Sequence, residues 1–151
     1  MTTLNIGDIA PDFTLKDHHN KEFTLSDHKG KKVLLSWHPL AWTKVCAQQM
    51  QSLEAHKQTF EELNTVAVGL SVDTIPCKHA WAKELNIWNI PLLSDFWPHG
   101  KVADMYGVLR DEGFSERANI IIDEEGKTIF FKIYDVQQLP DINEIITFLK
   151  K

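Results

Sequence analysis

The chain has 151 residues, 43% of them hydrophobic and 25% charged, and a formal net charge of −5. That length supports one core-bearing domain, residues 1–151, with the composition of an ordinary globular protein. The negative charge argues against nucleic acid or an anionic membrane as partner, and no apolar run approaches the ~18 residues of a membrane span; with no leader-like pattern in Met1 to Asn5, a cytoplasmic protein is expected.

In chain order, residues 13–15 and 22–25, joined by the polar Asp17-His18-His19-Asn20, read as an N-terminal β-hairpin. Residues 32–37 (KVLLSW) read as a buried strand. From Thr43 to about Leu63 the apolar residues Val45, Met50, Leu53 and Phe60 recur at helical spacing, predicting one helix. Residues 65–72 (TVAVGLSV) are short and β-branched, a second buried strand. Residues 79–85 predict a helix, 91–93 a short strand and 101–106 a further helix. Residues 118–123 and 127–134 form a hairpin through Glu124-Glu125-Gly126. The last helix starts at Asp141, an N-cap with Glu144 three residues on in the manner of a capping box, and continues through Ile142, Ile145, Ile146 and Leu149. Strands alternating with helices, then a terminal hairpin and helix, give an α/β domain with a mixed sheet. The five tryptophans are expected mostly in the core, and the seven histidines are too scattered to predict a metal site.

There are two cysteines, too few for a disulfide framework. Cys46 closes the stretch HPLAWTKVC, between a strand and a helix. It is either a small buried hydrophobe or a nucleophile. In the first turn of a helix the free N–H groups and the positive end of the dipole favour a thiolate. Thr43 can turn its hydroxyl to the same pocket, and Pro39, with no N–H, can stiffen the loop and shield the sulfur. Proline seven and threonine three residues before a cysteine is roughly a 1-in-400 coincidence at ordinary usages.

The Pro39-x-x-x-Thr43-x-x-Cys46 pattern resembles the peroxidatic signature of the peroxiredoxins (the AhpC/TSA superfamily). Gln49 stands where that family carries Glu or Gln. Arg117, in Ser115-Glu116-Arg117-Ala118, looks like its second arginine motif, and residues 7–13 (GDIAPDF) like its N-terminal signature. Ser71-Val72-Asp73 with Trp81 matches a further stretch. Residues 93–100 (LSDFWPHG), followed by Tyr106-Gly107-Val108, are most like the alkyl hydroperoxide reductase E-like subgroup.

The resemblance implies a thioredoxin fold of the peroxiredoxin type, a central mixed β-sheet flanked by helices with an added N-terminal hairpin, and peroxide reduction without metal or organic cofactor. It implies attack by Cys46, with sulfenic acid as the intermediate. Arg117 would favour the thiolate and bind the peroxide oxygen, together with Thr43 and the N–H groups of Val45 and Cys46. Gln49 would orient Arg117, and Trp81 would pack behind the pocket. Cys77, placed in the loop after the second strand, is either a resolving cysteine or a bystander in a one-Cys enzyme reduced by an external thiol. Hydroperoxides, a thioredoxin- or glutaredoxin-like reductant and a second copy of the chain are the expected partners, with Trp42 and Trp97 at the dimer contact. The alternative is a thioredoxin-like binding or chaperone module with an unreactive Cys46. A dithiol oxidoreductase lacks its Cys-x-x-Cys, and a cysteine hydrolase lacks a histidine base near Cys46.

Overall fold

The structure, a computed structural model, describes residues 4–151. Met1 to Thr3, read above as part of a leaderless N-terminus, lie outside the described residues. The hairpin pairs β1 (Thr14–Lys16) with β2 (Glu22–Thr24) in a separate antiparallel sheet. The main sheet holds β3 (Lys32–Trp37), β4 (Thr65–Ser71), β5 (Leu92–Ser94), β6 (Arg117–Ile122) and β7 (Thr128–Tyr134) in the order β5-β4-β3-β6-β7. β3, β4 and β5 run parallel; β6 and β7 pair antiparallel, β6 against β3, so the sheet is mixed as expected.

The central strands read as near-continuous apolar runs because both faces are covered. On one face Val33, Leu35, Trp37, Val68, Leu70 and Ile120 pack with the hairpin residues Phe13 and Phe23 and with Tyr106. On the other, Leu34, Ala67, Leu92 and Ile121 meet helices α1 (Lys44–Ala55), α2 (Lys57–Glu62), α3 (Ile75–Leu85) and α5 (Ile142–Leu149). A short helix, α4 (Lys101–Met105), follows β5. Side chains alternate along a strand, so Ser36, His38, Arg117 and Asn119 fall on the same face as Leu34 and Ile121, the face that α1 covers. This parity gathers the polar residues of the strands beneath Cys46.

Four expectations need correction. The helix expected over 43–63 is two helices, broken at His56, whose backbone bonds Leu53 in a tighter turn and whose Nδ1 meets the Ser52 carbonyl (2.9 Å). α3 starts four residues earlier than expected. Thr74 caps it, accepting from Cys77 N–H at 3.3 Å, and Pro76 occupies a first-turn position where its missing N–H costs nothing. Cys77 therefore sits in a helix, not a loop. Asp141 caps α5 through Asn143 N–H (2.9 Å), but Glu144 does not complete a capping box: Lys132 (2.7 Å) and Tyr134 (2.7 Å) on β7 hold its carboxylate. Of the five tryptophans only Trp37 and Trp81 are buried, while Trp42, Trp88 and Trp97 are 55%, 61% and 79% exposed.

α1 lies close over β4 because position 69 has no side chain. A Cβ there would come within 2.3 Å of Met50 Sδ and 3.0 Å of Leu92 Cδ2. Gly69→Ala is expected to lower stability by about 1–3 kcal/mol through overpacking, read as a lower urea midpoint with unchanged slope; a midpoint equal to wild type would show that α1 is not held at this spacing.

Candidate active site

α1 begins immediately after a loop that leaves the carboxyl end of β3. Thr43 stands at the N-cap, and Cys46 is in the first turn. The first intrahelical bond runs from Ala47 N–H to the Thr43 carbonyl (2.9 Å), so the N–H groups of Val45 and Cys46 precede the ladder. The loop is held from two sides. Asp73, after β4, accepts from Ala41 N–H (2.8 Å) and from Ser71 Oγ, and Ser115 Oγ donates to the His38 carbonyl (3.0 Å). Trp42 takes a left-handed conformation (φ 67°), which turns the chain sharply into the helix. Pro39 is buried in this loop.

Cys46 is fully buried and Arg117 nearly so. Arg117 Nη1 donates to Cys46 Sγ at 3.3 Å and to Gln49 Oε1 at 2.8 Å. Its Nε (3.0 Å) and Nη2 (2.5 Å) both donate to the Val136 carbonyl in the turn after β7. The guanidinium is thus fixed on both edges, with one nitrogen directed at the sulfur. Gln49 is fixed in turn: its Nε2 donates to Ser36 Oγ (2.8 Å) and the Trp37 carbonyl (3.1 Å). Ser36 donates to Asn119 Oδ1 (2.8 Å), Asn119 reaches the Tyr134 oxygen (3.5 Å), and Tyr134 donates to Glu144. Burial, and then Glu144, push the Tyr134 phenol up, so it stays a donor; Lys132 and Tyr134 hold Glu144 below the usual carboxylate range.

The structure brings Cys46, Arg117 and Gln49 together as the sequence implied. Trp81 packs in the same apolar cluster as Cys46. Thr43 stands at the N-cap of α1, and its hydroxyl donates to the Leu40 carbonyl (2.7 Å). Cys77 borders the same cluster, in the first turn of α3, with its sulfur 4.0 Å from Asp73 Oδ1. Burial and the Asp73 carboxylate push the Cys77 thiol up. Ser36, Asn119, Tyr134 and the Val136 carbonyl were not singled out in the sequence. The available signal was a single polar residue inside each apolar run, Ser36 in VLLSW and Asn119 in ANIII. A cavity of about 240 Å³ bordered by Ile9, Leu25, Val33 and Ile122 lies toward the other end of β3 and contains neither cysteine.

The site combines a buried sulfur, a fixed cation and N–H groups outside the helical ladder, a set of donors suited to negative charge developing on a bound atom. The AhpC/TSA family model matches residues 6–130. Alkyl hydroperoxide reductase E of Mycobacterium tuberculosis is 40% identical over 125 residues, 82% of this chain and 81% of that protein. Peroxiredoxin-1 of Gekko japonicus is 34% identical over 156 residues, 96% of this chain and 77% of that one. Among solved structures, AhpC of Enterococcus faecalis superposes with a TM-score of 0.89 at 25% identity, over 99% of this chain and 92% of that chain. The reduced 2-Cys peroxiredoxin of Plasmodium vivax gives 0.88 at 29%, over 96% and 80%.

Removing the Gln49 amide leaves one Arg117 N–H without its acceptor and Ser36 Oγ without its donor, while Ser36 keeps its bond to Asn119. Gln49→Leu is expected to cost about 1–3 kcal/mol of stability and to slow Cys46 oxidation by hydrogen peroxide at least tenfold, as followed by stopped-flow tryptophan fluorescence. An unchanged oxidation rate would show that Arg117 needs no such support.

Proposed function

We propose that in this chain, which belongs to the AhpC/TSA family and is a thiol-dependent peroxidase, Cys46 is the sulfur that attacks hydrogen peroxide and organic hydroperoxides. The observation that carries this assignment is the Arg117 Nη1 contact to Cys46 Sγ at 3.3 Å, inside a site that holds the guanidinium in place. The Cys46 thiolate donates its electron pair to the terminal peroxide oxygen. An S–O bond forms, the O–O bond breaks, and the bonding pair departs on the other oxygen, which takes a proton to become water or an alcohol. Sulfur is oxidised by two electrons to a sulfenic acid. Arg117 binds the oxygens as charge builds, with the N–H groups of Val45 and Cys46 beside it; Thr43 accepts a hydrogen bond from the peroxide, and Pro39 closes the loop side.

A second thiol then condenses with the sulfenic acid, releasing water and leaving a disulfide. Cys46 and Cys77 both lie in first turns of helices that follow adjacent parallel strands, at the carboxyl end of those strands. A Cys46–Cys77 bridge needs the Cα atoms within ~7 Å, and in this reading a first turn unwinds to bring the two sulfurs together. The Cys77 thiol, raised by burial and by Asp73, is also a reluctant nucleophile in the folded helix. A separate thiol reductant, such as a thioredoxin- or glutaredoxin-like protein, therefore competes with Cys77 for the sulfenic acid. Residues 1–151 act as one peroxiredoxin domain, in a reducing compartment such as the cytoplasm, where thiols persist. The exposed Trp42, Phe96 and Trp97 supply the apolar surface for a homodimer; Trp97→Ala is expected to shift the light-scattering mass from dimer toward monomer, and an unchanged mass would remove Trp97 from the contact.

Reduced protein treated with one equivalent of hydrogen peroxide is expected to gain one oxygen on Cys46, trapped by dimedone, or to lose two hydrogens through a Cys46–Cys77 bridge. The intact mass of Cys77→Ser separates these outcomes, because only an internal resolver gives the bridge. No change in mass over minutes in the wild type would overturn the assignment of Cys46.

A further inference from the structure

The same face of the sheet carries a second cation. Lys78, one residue after Cys77 in α3, is 0% exposed and forms no ion pair with any described carboxylate. Its Nζ donates to His38 Nε2 at 3.1 Å and lies 5.9 Å from the centre of the Trp81 ring. An ammonium so deeply buried is costly unless something compensates its charge. His38 cannot do so as a cation. It is fully buried, it accepts from Lys78 at Nε2, and its Nδ1 has no partner among the described residues. Burial and then the neighbouring Lys78 charge hold His38 well below its ordinary value, so it stays neutral.

The position of this pair decides what it can compensate. His38 precedes Pro39 in the loop that delivers Cys46. Its ring and the Met50 sulfur both meet over Gly69, with His38 Cε1 3.4 Å and Met50 Sδ 2.3 Å from where a Gly69 Cβ would be. Met50 is one turn beyond Cys46 on the same face of α1. The ionisable groups facing Lys78 are His38 from the β3–α1 loop, Asp73 from the β4–α3 loop, Cys46 from α1, Cys77 from its own helix and His18 from the hairpin turn; Arg117 acts on His38 from β6. Of these, Asp73 is the carboxylate that favours the Lys78 charge most, and it also accepts Ala41 N–H and the Ser71 hydroxyl; Cys77 is raised against ionisation, which leaves Cys46 as the further anion that this face of the sheet can supply.

We propose that the buried Lys78 ammonium, held by His38 Nε2, is a positioning charge for the Cys46 thiolate, a titratable second counterion alongside the permanent charge of Arg117. The proposal rests on Cys46 being the attacking thiol. It gives the site a charge ledger: in the reduced enzyme two cations, Arg117 and Lys78, face two anions, the Cys46 thiolate and Asp73, and conversion of Cys46 to a neutral sulfenic acid removes one of those anions. Burial, the largest influence, brings Lys78 down to about 8, while Asp73, Cys46 and Cys77 pull the other way. The ammonium is therefore present at neutral pH and is lost as pH rises through about 8, taking its support of the thiolate with it.

The test uses the full chain in a Cys77→Ser background, so that Cys46 is the only thiol titrating, with Lys78→Met and Lys78→Gln made within it. Replacing an unpaired buried ammonium by a methionine of similar length is not expected to cost the fold. Two pH profiles are read: iodoacetamide alkylation of Cys46, and the second-order rate of its oxidation by hydrogen peroxide. With Lys78 intact, the oxidation rate is expected to fall as pH climbs past about 8, and this limb is expected to vanish in both variants. Their alkylation midpoint is expected about one pH unit higher, which is tenfold less thiolate at pH values well below it. Profiles that superimpose on the parent overturn the proposal, and so does a parent oxidation rate flat from about pH 7 to about pH 10, which needs no variant at all. Failure of every protein to react with peroxide would instead overturn the assignment of Cys46.

Discussion

Everything in this molecule that concerns chemistry depends on one contact, the Arg117 guanidinium against the Cys46 sulfur (3.3 Å). A thiolate in a dry interior is unstable without a cation, and a buried cation is equally unstable without acceptors. The fold satisfies both at once. Arg117 opens β6, next to β3 in the sheet, and α1 lays Cys46 and Gln49 over the same face. Three of its hydrogen bonds go to the Val136 carbonyl and Gln49, leaving the sulfur as the remaining neighbour for Nη1. A charged hydrogen bond of this kind contributes about 1.5–3 kcal/mol.

The support behind Arg117 extends across the sheet. Gln49, Ser36, Asn119, Tyr134 and Glu144 form one chain of hydrogen bonds from α1 through β3, β6 and β7 to α5. Each member is oriented by the next, so the Gln49 amide has only one sense in which every bond is made. This explains why Glu144 leaves the local capping role that its spacing from Asp141 favoured. Its carboxylate instead terminates the network and meets Lys132, where both of its partners are side chains of β7.

Lys78 and His38 form a second polar island on the same face, and the contrast between the two cations is chemical. Arg117 is permanently charged and saturated with acceptors. Lys78 has one neutral acceptor, and burial holds it below the ordinary lysine value. One face of the sheet thus holds a cation fixed by four hydrogen bonds and a second, buried cation held by a single neutral acceptor.

Much of this was legible in the chain itself. The apolar runs at 32–37 and 65–72 gave strands at those positions, since a strand buried on both faces needs no partner to look apolar. The spacing of Pro39, Thr43 and Cys46 placed a thiol on a helix start, and the motif around Arg117 supplied its cation. These features are local, or carried by motifs, and survive in one dimension. What only the tertiary structure decided is everything that depends on which side chains meet. Ser36 and Asn119 are unremarkable until β3 and β6 pair them in register on the α1 side. Pro76 reads as a loop until the Thr74 cap extends α3 back past Cys77. Nothing beside Lys78 in the chain marks it as buried; the docking of α3 places it on His38 with no exposure. Burial and long-range pairing fix the energy of a charge, and neither is a property of the residues beside it in the chain.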